Sequence, residues 1–342
     1  MTSFTPAKKV CRIEALLGSI IITGIMSIQT YAQPNSDSDK SFHATNSSSS
    51  KILYVNPGYG SDAPSAGISE TTPLDTITYA LQQASPGTII KLASGSYSTQ
   101  SGEVFPLVLK QGVILQGDES TRGENVTISG GGRYISPTFA RQNVTVIAEK
   151  DSTISGVSIS NPNKRGTALW IESANPMVKN NTFAQSNREG IFVTGKAAPV
   201  IVSNVFTKNG GNGISVANSA TGEIRQNLFQ DTGFGLAIGG TSKPRILENK
   251  IIQNRDGLFI SEDARPMLRN NVIEKNVRDG IVIAACAQAQ PDLGTAESFG
   301  GNVFNNNGQY DIHSSGANSL VMNGNQLDRS RVMEQHQYQC GI

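Results

Sequence analysis

Between residues 166 and 283 apolar and polar positions repeat one phrase. A glycine is followed by two apolar residues with one position between them, then a short polar patch that often holds proline. An apolar pair comes next, then Asn-x-Phe or Asn-x-Ile and a polar run into the next glycine. The plainest copies are GIFVTGKAAPVIVSNVFTKN from Gly190, GLAIGGTSKPRILENKIIQN from Gly235 and GLFISEDARPMLRNNVIEKN from Gly257. The asparagine falls at Asn181, Asn204, Asn227, Asn249 and Asn271, in steps of 23, 23, 22 and 22 residues. That period is too short for the helical pairs of tetratricopeptide or ankyrin repeats and carries no leucine-rich signature. Three short strands and three turns fit it, which predicts an all-β, single-stranded parallel β-helix of three sheets with coils of 22–23 residues.

In such a coil each strand lies about 4.8 Å from its counterpart one turn away, so equivalent residues stack. Phe183, Phe206, Phe229, Ile251 and Ile273 then form one interior file, each contributing about 1.5–3 kcal/mol on burial. Val178, Ile201, Ile224, Ile246 and Leu268 form a second, and Ile191, Ile214, Leu236, Leu258 and Ile281 a third. The asparagine column is expected at the bend between sheets. Its carboxamides can bond one another and the turn backbone, and asparagine tolerates left-handed conformations; the alternative is that these side chains bind sugar hydroxyls. The glycine column, Gly190, Gly213, Gly235, Gly257 and Gly280, is expected at positive φ. One extra residue between Gly166 and Trp170 leaves the direction of Trp170 open.

The ends differ from the middle. Residues 51–60 open with an alternating strand, and Ile77, Ala80, Leu81 and Ala84 have helical spacing. A helix over 73–85, capped by Asp75 or Thr76, would cover the open end of the stack. Strands are expected over 88–92, 105–109, 113–116, 126–128, 144–147 and 152–159. Asn302 lies 31 residues beyond Asn271, so residues 284–300 read as an inserted loop; regular spacing resumes at Asn302 and Asn325. The β-helix domain is expected over 51–328, followed by a polar tail, 329–342.

The segments YVNPGYGSD, TITYALQQASPGTIIKLASGSY and GEVFPLVLKQGVILQGDE resemble the opening of the DUF1565 family, exported proteins of the pectate-lyase-like superfamily. The resemblance runs from Ile52 to about Asp328 and implies a right-handed parallel β-helix. It names no reaction.

Residues 1–32 read as a signal peptide: Lys8, Lys9 and Arg12 precede a mostly apolar run over 15–28, and Thr30-Tyr31-Ala32 ends on a small residue. An uncleaved anchor is the alternative. Residues 33–50 form a Ser-rich disordered linker. Together they predict a secreted or periplasmic protein with no membrane span after cleavage. Cys11 leaves with the signal, so Cys286 and Cys340 either form a disulfide or remain free thiols. With 28 Lys plus Arg against 27 Asp plus Glu, no overall charge points to nucleic acid or an anionic membrane.

Candidate chemistry lies where columns break. The residues before the column glycines are Glu189, Asn212, Phe234, Asp256 and Asp279, with Arg255 and Arg278 before the last two. Asp256 and Asp279, about 5 Å apart on neighbouring coils, suit a Ca²⁺ ion. With Arg255 or Arg278 they also suit a nucleophile and acid pair on a glycosidic bond. The opposing reading is two solvated Arg-Asp-Gly turns whose arginines cancel the carboxylate repulsion. Glu262, Asp263, Asp292 and Glu297 add acidity. The outward Phe192 and Phe259 are either sugar-stacking platforms or are covered by the linker, the long loop or a partner. Lys179, Arg225 and Arg269, with Arg245 nearby, make a basic stripe that fits an acidic polysaccharide or is an ordinary solvated strand.

The Asp-Asp, Gly-His-Gly and Arg-x-Lys motifs of polygalacturonases and the Asp-Pro-His-Asp box of C5-epimerases do not occur. His313 is the one histidine in the stack, with His43 in the linker and His336 in the tail. The expectation is an exported monomer that binds surface or extracellular carbohydrate without cleaving it, needing no cofactor unless Ca²⁺. The alternatives are a polysaccharide lyase or glycoside hydrolase acting on an acidic glycan, and a protein-binding scaffold.

Overall fold

The computed structural model describes residues 50–335 except 286 and 317. The signal-peptide reading, the linker apart from Ser50, the Cys286–Cys340 question, and the end of the tail lie outside the described residues, as do His43 and His336.

The chain winds into a parallel β-solenoid of three sheets. The first runs from Ile52–Val55 to Met267–Arg269 and has nine strands; the second, also nine, runs from Gly95–Ser98 to Val303–Asn305. The third runs from Leu107–Leu109 to Val332–Glu334, with Gly132–Ser136 added antiparallel against Ala140–Ala148. Strand register bears out all three apolar files: Phe183 pairs with Phe206 and Phe206 with Phe229, Val178 with Ile201, Ile191 with Ile214. Every member is buried. The phenylalanines stack nearly parallel, Phe206 and Phe229 at 4.7 Å between centroids.

The helix occupies Ile77–Gln83, shorter than its spacing suggests, because Leu74 still bridges to Val55 as extended chain. Thr76 is the cap, its side chain accepting from the Tyr79 N–H. Glu103 accepts from the N–H groups of Ile77 and Thr78 at 2.7 and 2.9 Å, so the donors of the first turn are satisfied although buried. Ile77, Ala80 and Leu81 close the end of the core.

The asparagine column is an uninterrupted ladder. Each side chain donates through Nδ2 to the next Oδ1, from Asn181 through Asn204, Asn227, Asn249, Asn271 and Asn302 to Asn325, at 2.8–3.0 Å. The left-handed residue is not the asparagine but the one before it: Asn180, Ser203, Gln226, Glu248 and Asn270 have φ between 52° and 59°. A second ladder, missed in the sequence, stands five residues on, where Asn254 donates to Asn276 at 3.2 Å and Asn276 to Asn307 at 2.9 Å. Its signal was present as Asn209, Asn254, Asn276 and Asn307, each five after a first-ladder asparagine.

The glycine column also differs from expectation, since none of its five members has positive φ. What they need is space. A Cβ on Gly213 would lie 2.5 Å from Cδ1 of Phe229 and 2.6 Å from the Gly235 carbonyl oxygen, so the glycines stack against one another and against the phenylalanine file. The expected strand 152–159 is two strands in different sheets, Thr153–Ser155 and Ser158–Ser160, turned at Gly156 with φ 68°. The inserted segment also keeps a trace of the first sheet: Asp292 bridges to Met267, and Ala289 and Leu293 are buried.

Candidate functional site

The third sheet's outer face collects most of the residues singled out above. Its outward file, read by strand register, runs Trp170, Phe192, Ser215, Ala237, Phe259, Val282 and His313. Two parts of this face differ.

Over the earlier coils the face is closed. Trp170 and Phe192 stack at 4.4 Å with planes 3° apart, and Phe139 packs edge-on against both. Phe192 is only 6% exposed, so it offers no platform to a sugar. The cover comes from the strand Gly132–Ser136 and the turn after it, not from the linker, the long loop or a partner. Glu172 latches it, accepting from Trp170 Nε1, Tyr134 Oη, Ser136 Oγ and Thr138 N and Oγ1. Burial pushes the Glu172 carboxyl up, but these hydrogen bonds outweigh it and hold it below its usual range. Burial beside that carboxylate pushes the Tyr134 phenol up to about 12. Trp170 therefore points outward and is covered.

Over the later coils the face is open, and the aspartates sit at its edge. Asp256 begins the strand Asp256–Ile260 and is fully buried. Its oxygens accept from Arg255 Nε at 3.3 Å, from Arg278 Nε at 3.2 Å and NH2 at 2.5 Å, and from the Asp279 N–H at 3.2 Å. The bond to Asp256 pushes the Arg278 guanidinium up. Asp279, also buried, accepts from the Tyr310 N–H at 2.9 Å and faces His313 Nδ1 across 3.3 Å. The two carboxylates are thus neighbours, but neither is solvated. Both arginines pair with Asp256, as the turn reading had it for that carboxylate, whereas Asp279 is met by His313 and the Tyr310 N–H instead. No group of three or more His, Cys, Asp or Glu side chains among the described residues is placed to hold a metal ion. Glu262 turns instead to the Gly240 N–H, and Asp292 pairs with Arg269.

Phe259 stacks on Phe234 at 5.0 Å, both half-buried, and the Arg255 guanidinium lies 4.5 Å over the Phe234 ring. Arg255, Phe234, Phe259, Val282 and His313 make an aromatic ledge with Arg255 at one end and His313 at the other. Phe234 and His313 were not ranked as site residues from sequence, because only the fold brings them beside Phe259 and Asp279.

The basic stripe lies on the first sheet, where Lys179, Arg225 and Arg269 occupy alternate coils of one outward file. Each carries an acidic partner: Lys179 with Glu119 at 3.0 Å, Arg225 with Glu223 at 2.6 Å and Arg269 with Asp292 at 2.7 Å. Arg245 shares Glu223 at 3.1 Å. The stripe is largely neutralised.

Three parallel sheets with stacked interior files and asparagine ladders define a parallel β-solenoid. The family model described as Protein of unknown function (DUF1565) matches residues 59–332, and the chain belongs to that family. No curated protein matches it. Among solved structures, pectate lyase Pel9A is similar at 11% identity and a TM-score of 0.58, with 82% of this chain and 81% of that one covered. XylC in complex with xylose is similar at 12% identity and a TM-score of 0.53, covering 77% of this chain and 70% of that one. At such identities the likeness is one of fold.

Proposed function

We propose that this protein is exported and binds carbohydrate, without cleaving it, across the open ledge of the third sheet. The observation that carries the reading is the half-exposed Phe234–Phe259 stack, with Arg255 and Arg278 along one edge and His313 at the far end. A pyranose presents a C–H face that packs on such rings and hydroxyls that bond to the guanidinium and imidazole groups around them. Asp256 serves this site by holding both arginines in place. With its oxygens already occupied, it is poorly disposed to act as nucleophile or calcium ligand.

The carbohydrate proteins among the structural neighbours, a pectate lyase and a xylose complex, support the ligand class by analogy of fold. Export rests on the sequence of residues 1–32; among the described residues no helix is long and apolar enough to cross a membrane. A glycan array run with calcium and with chelator tests the proposal. Binding that is indifferent to calcium and lost in Phe259→Ala is expected. Binding unaffected by that substitution, or lost on chelation, would overturn it.

One observation favours the enzymatic alternative. A buried aspartate facing a half-exposed imidazole, Asp279 and His313, is an arrangement suited to a general acid or base. Release of reducing ends or unsaturated sugars from an acidic glycan, abolished by His313→Ala, would establish cleavage in place of simple binding.

A further inference from the structure

Far from the ledge, at the helix-capped end, the outer face of the first sheet holds a cavity of about 410 Å³. Tyr54, Lys91 and Gln116 occupy one register position on three successive strands and line it together. At about 4.8 Å per strand they span roughly 10 Å, the width of one sugar ring with its substituents. Asn56, Tyr59, Glu70, Ala93 and Gly117 also line it, with Ala93 and Gly117 adding little bulk.

The polar groups here have unspent capacity. Lys91 Nζ lies 5.8 Å over the Tyr54 ring and, among the described residues, has no carboxylate partner. In this it differs from Lys179, Arg225 and Arg269 in the same outward file, all of which are paired. Tyr59 is anchored by its hydroxyl to the Glu70 carbonyl at 3.0 Å but is 65% exposed, so its ring is held in place with open surface. Asn56 spends its Oδ1 on the Gly58 N–H, leaving its amide N–H₂ free to donate. A half-buried ammonium without an anion, an anchored aromatic ring and spare amide groups together match a carboxylated pyranose.

We infer that this cavity is a binding site for a single hexuronate residue, its carboxylate on Lys91, its ring against Tyr59, and its hydroxyls on Gln116, Asn56 and the Glu70 carboxylate. A second cavity of about 570 Å³ shares Gln116 and continues to Lys179, so the bound ring has room for a further sugar on one side. The site is on a different sheet from the Phe259 ledge. It shares with that proposal only the class of ligand.

The test is calorimetric titration of the mature protein with glucuronate, glucose and acetate. Glucuronate is expected to bind at least tenfold more tightly than either control. Lys91→Gln is expected to remove that preference and Tyr59→Ala to weaken glucuronate at least tenfold. Equal binding of acetate, absence of glucuronate binding, or a Lys91→Gln protein that keeps the preference would each overturn the assignment. Loss of glucuronate binding in Phe259→Ala, with Lys91→Gln unaffected, would place the uronate on the ledge and also refute this site.

Discussion

Arg278 reaches back one coil and grips Asp256 at two points, Nε to Oδ1 and NH2 to Oδ2. The carboxylate is fully buried, whereas the guanidinium is about half exposed. Removing the arginine would leave a buried charge served only by Arg255 and the Asp279 N–H. Arg278→Ala is therefore expected to cost about 1–3 kcal/mol, less than a wholly buried pair because solvent reaches the arginine. Arg278→Lys should recover part of this, since an ammonium cannot make both bonds. Denaturant unfolding of the three proteins measures it, and equal midpoints would mean that the grip adds nothing.

Asn227 stands mid-ladder, donating to Asn249 Oδ1 and the Ile201 carbonyl while accepting from the N–H and side chain of Asn204. Asn227→Asp keeps the shape but loses the donors, setting a carboxylate against the Asn249 oxygen. It is expected to destabilise by at least as much as Asn227→Ala, about 3 kcal/mol or more, because several buried groups lose partners at once. A nearly neutral Asn227→Asp would show that the ladder is decorative.

The apolar files and the first ladder were legible because a 22- or 23-residue period sets equivalent residues in line whatever the turn geometry. Backbone conformation was less so. Side-chain type suggested a left-handed Asn181, yet it is Asn180, Ser203, Gln226 and Glu248 that adopt positive φ. The ladder's hydrogen bonds keep the asparagine itself out of the left-handed region, and the positive φ falls on the residue before it. The cover over Phe192 was illegible for another reason. It comes from residues 132–140, outside the repeat, and only the antiparallel pairing folds them over Trp170. Asp256 and Asp279 were found as neighbours, but their burial depends on Arg278 and on Tyr310, contributed by the adjacent coils.

The glycine column gives a test that separates space from conformation. Gly213→Ala and Gly213→Asn are both expected to destabilise by about 1–3 kcal/mol or more, since any Cβ there meets Phe229 and the Gly235 carbonyl. Gly87 provides the contrast, with φ +86° and nothing within 4 Å of a Cβ. There asparagine should be better tolerated than alanine, because it visits left-handed backbone more readily. Thermal unfolding of the four variants decides the matter. Rescue by asparagine at Gly213 would restore the positive-φ explanation.

Glu172 makes the aromatic cover sensitive to acid. Its carboxyl is held below the ordinary value of 4.5, so its stabilising contribution is present above the ordinary range and is lost as pH falls through the lower, folded-state value. Protonation removes acceptor capacity from Trp170 Nε1, Tyr134, Ser136 and Thr138, which are the bonds that hold the cover. Trp170 is the only tryptophan in the chain, so its emission reports the event directly. On acidification from neutral pH a red shift of that emission is expected as the ring meets water, ahead of global unfolding followed by circular dichroism. Glu172→Gln, which cannot accept from all four partners as a carboxylate does, should be red-shifted already at neutral pH and should show a much smaller acid transition. The measurement would count against the latch if this variant kept wild-type emission and titrated as the wild type does, because the cover would then be held by Phe139 packing alone.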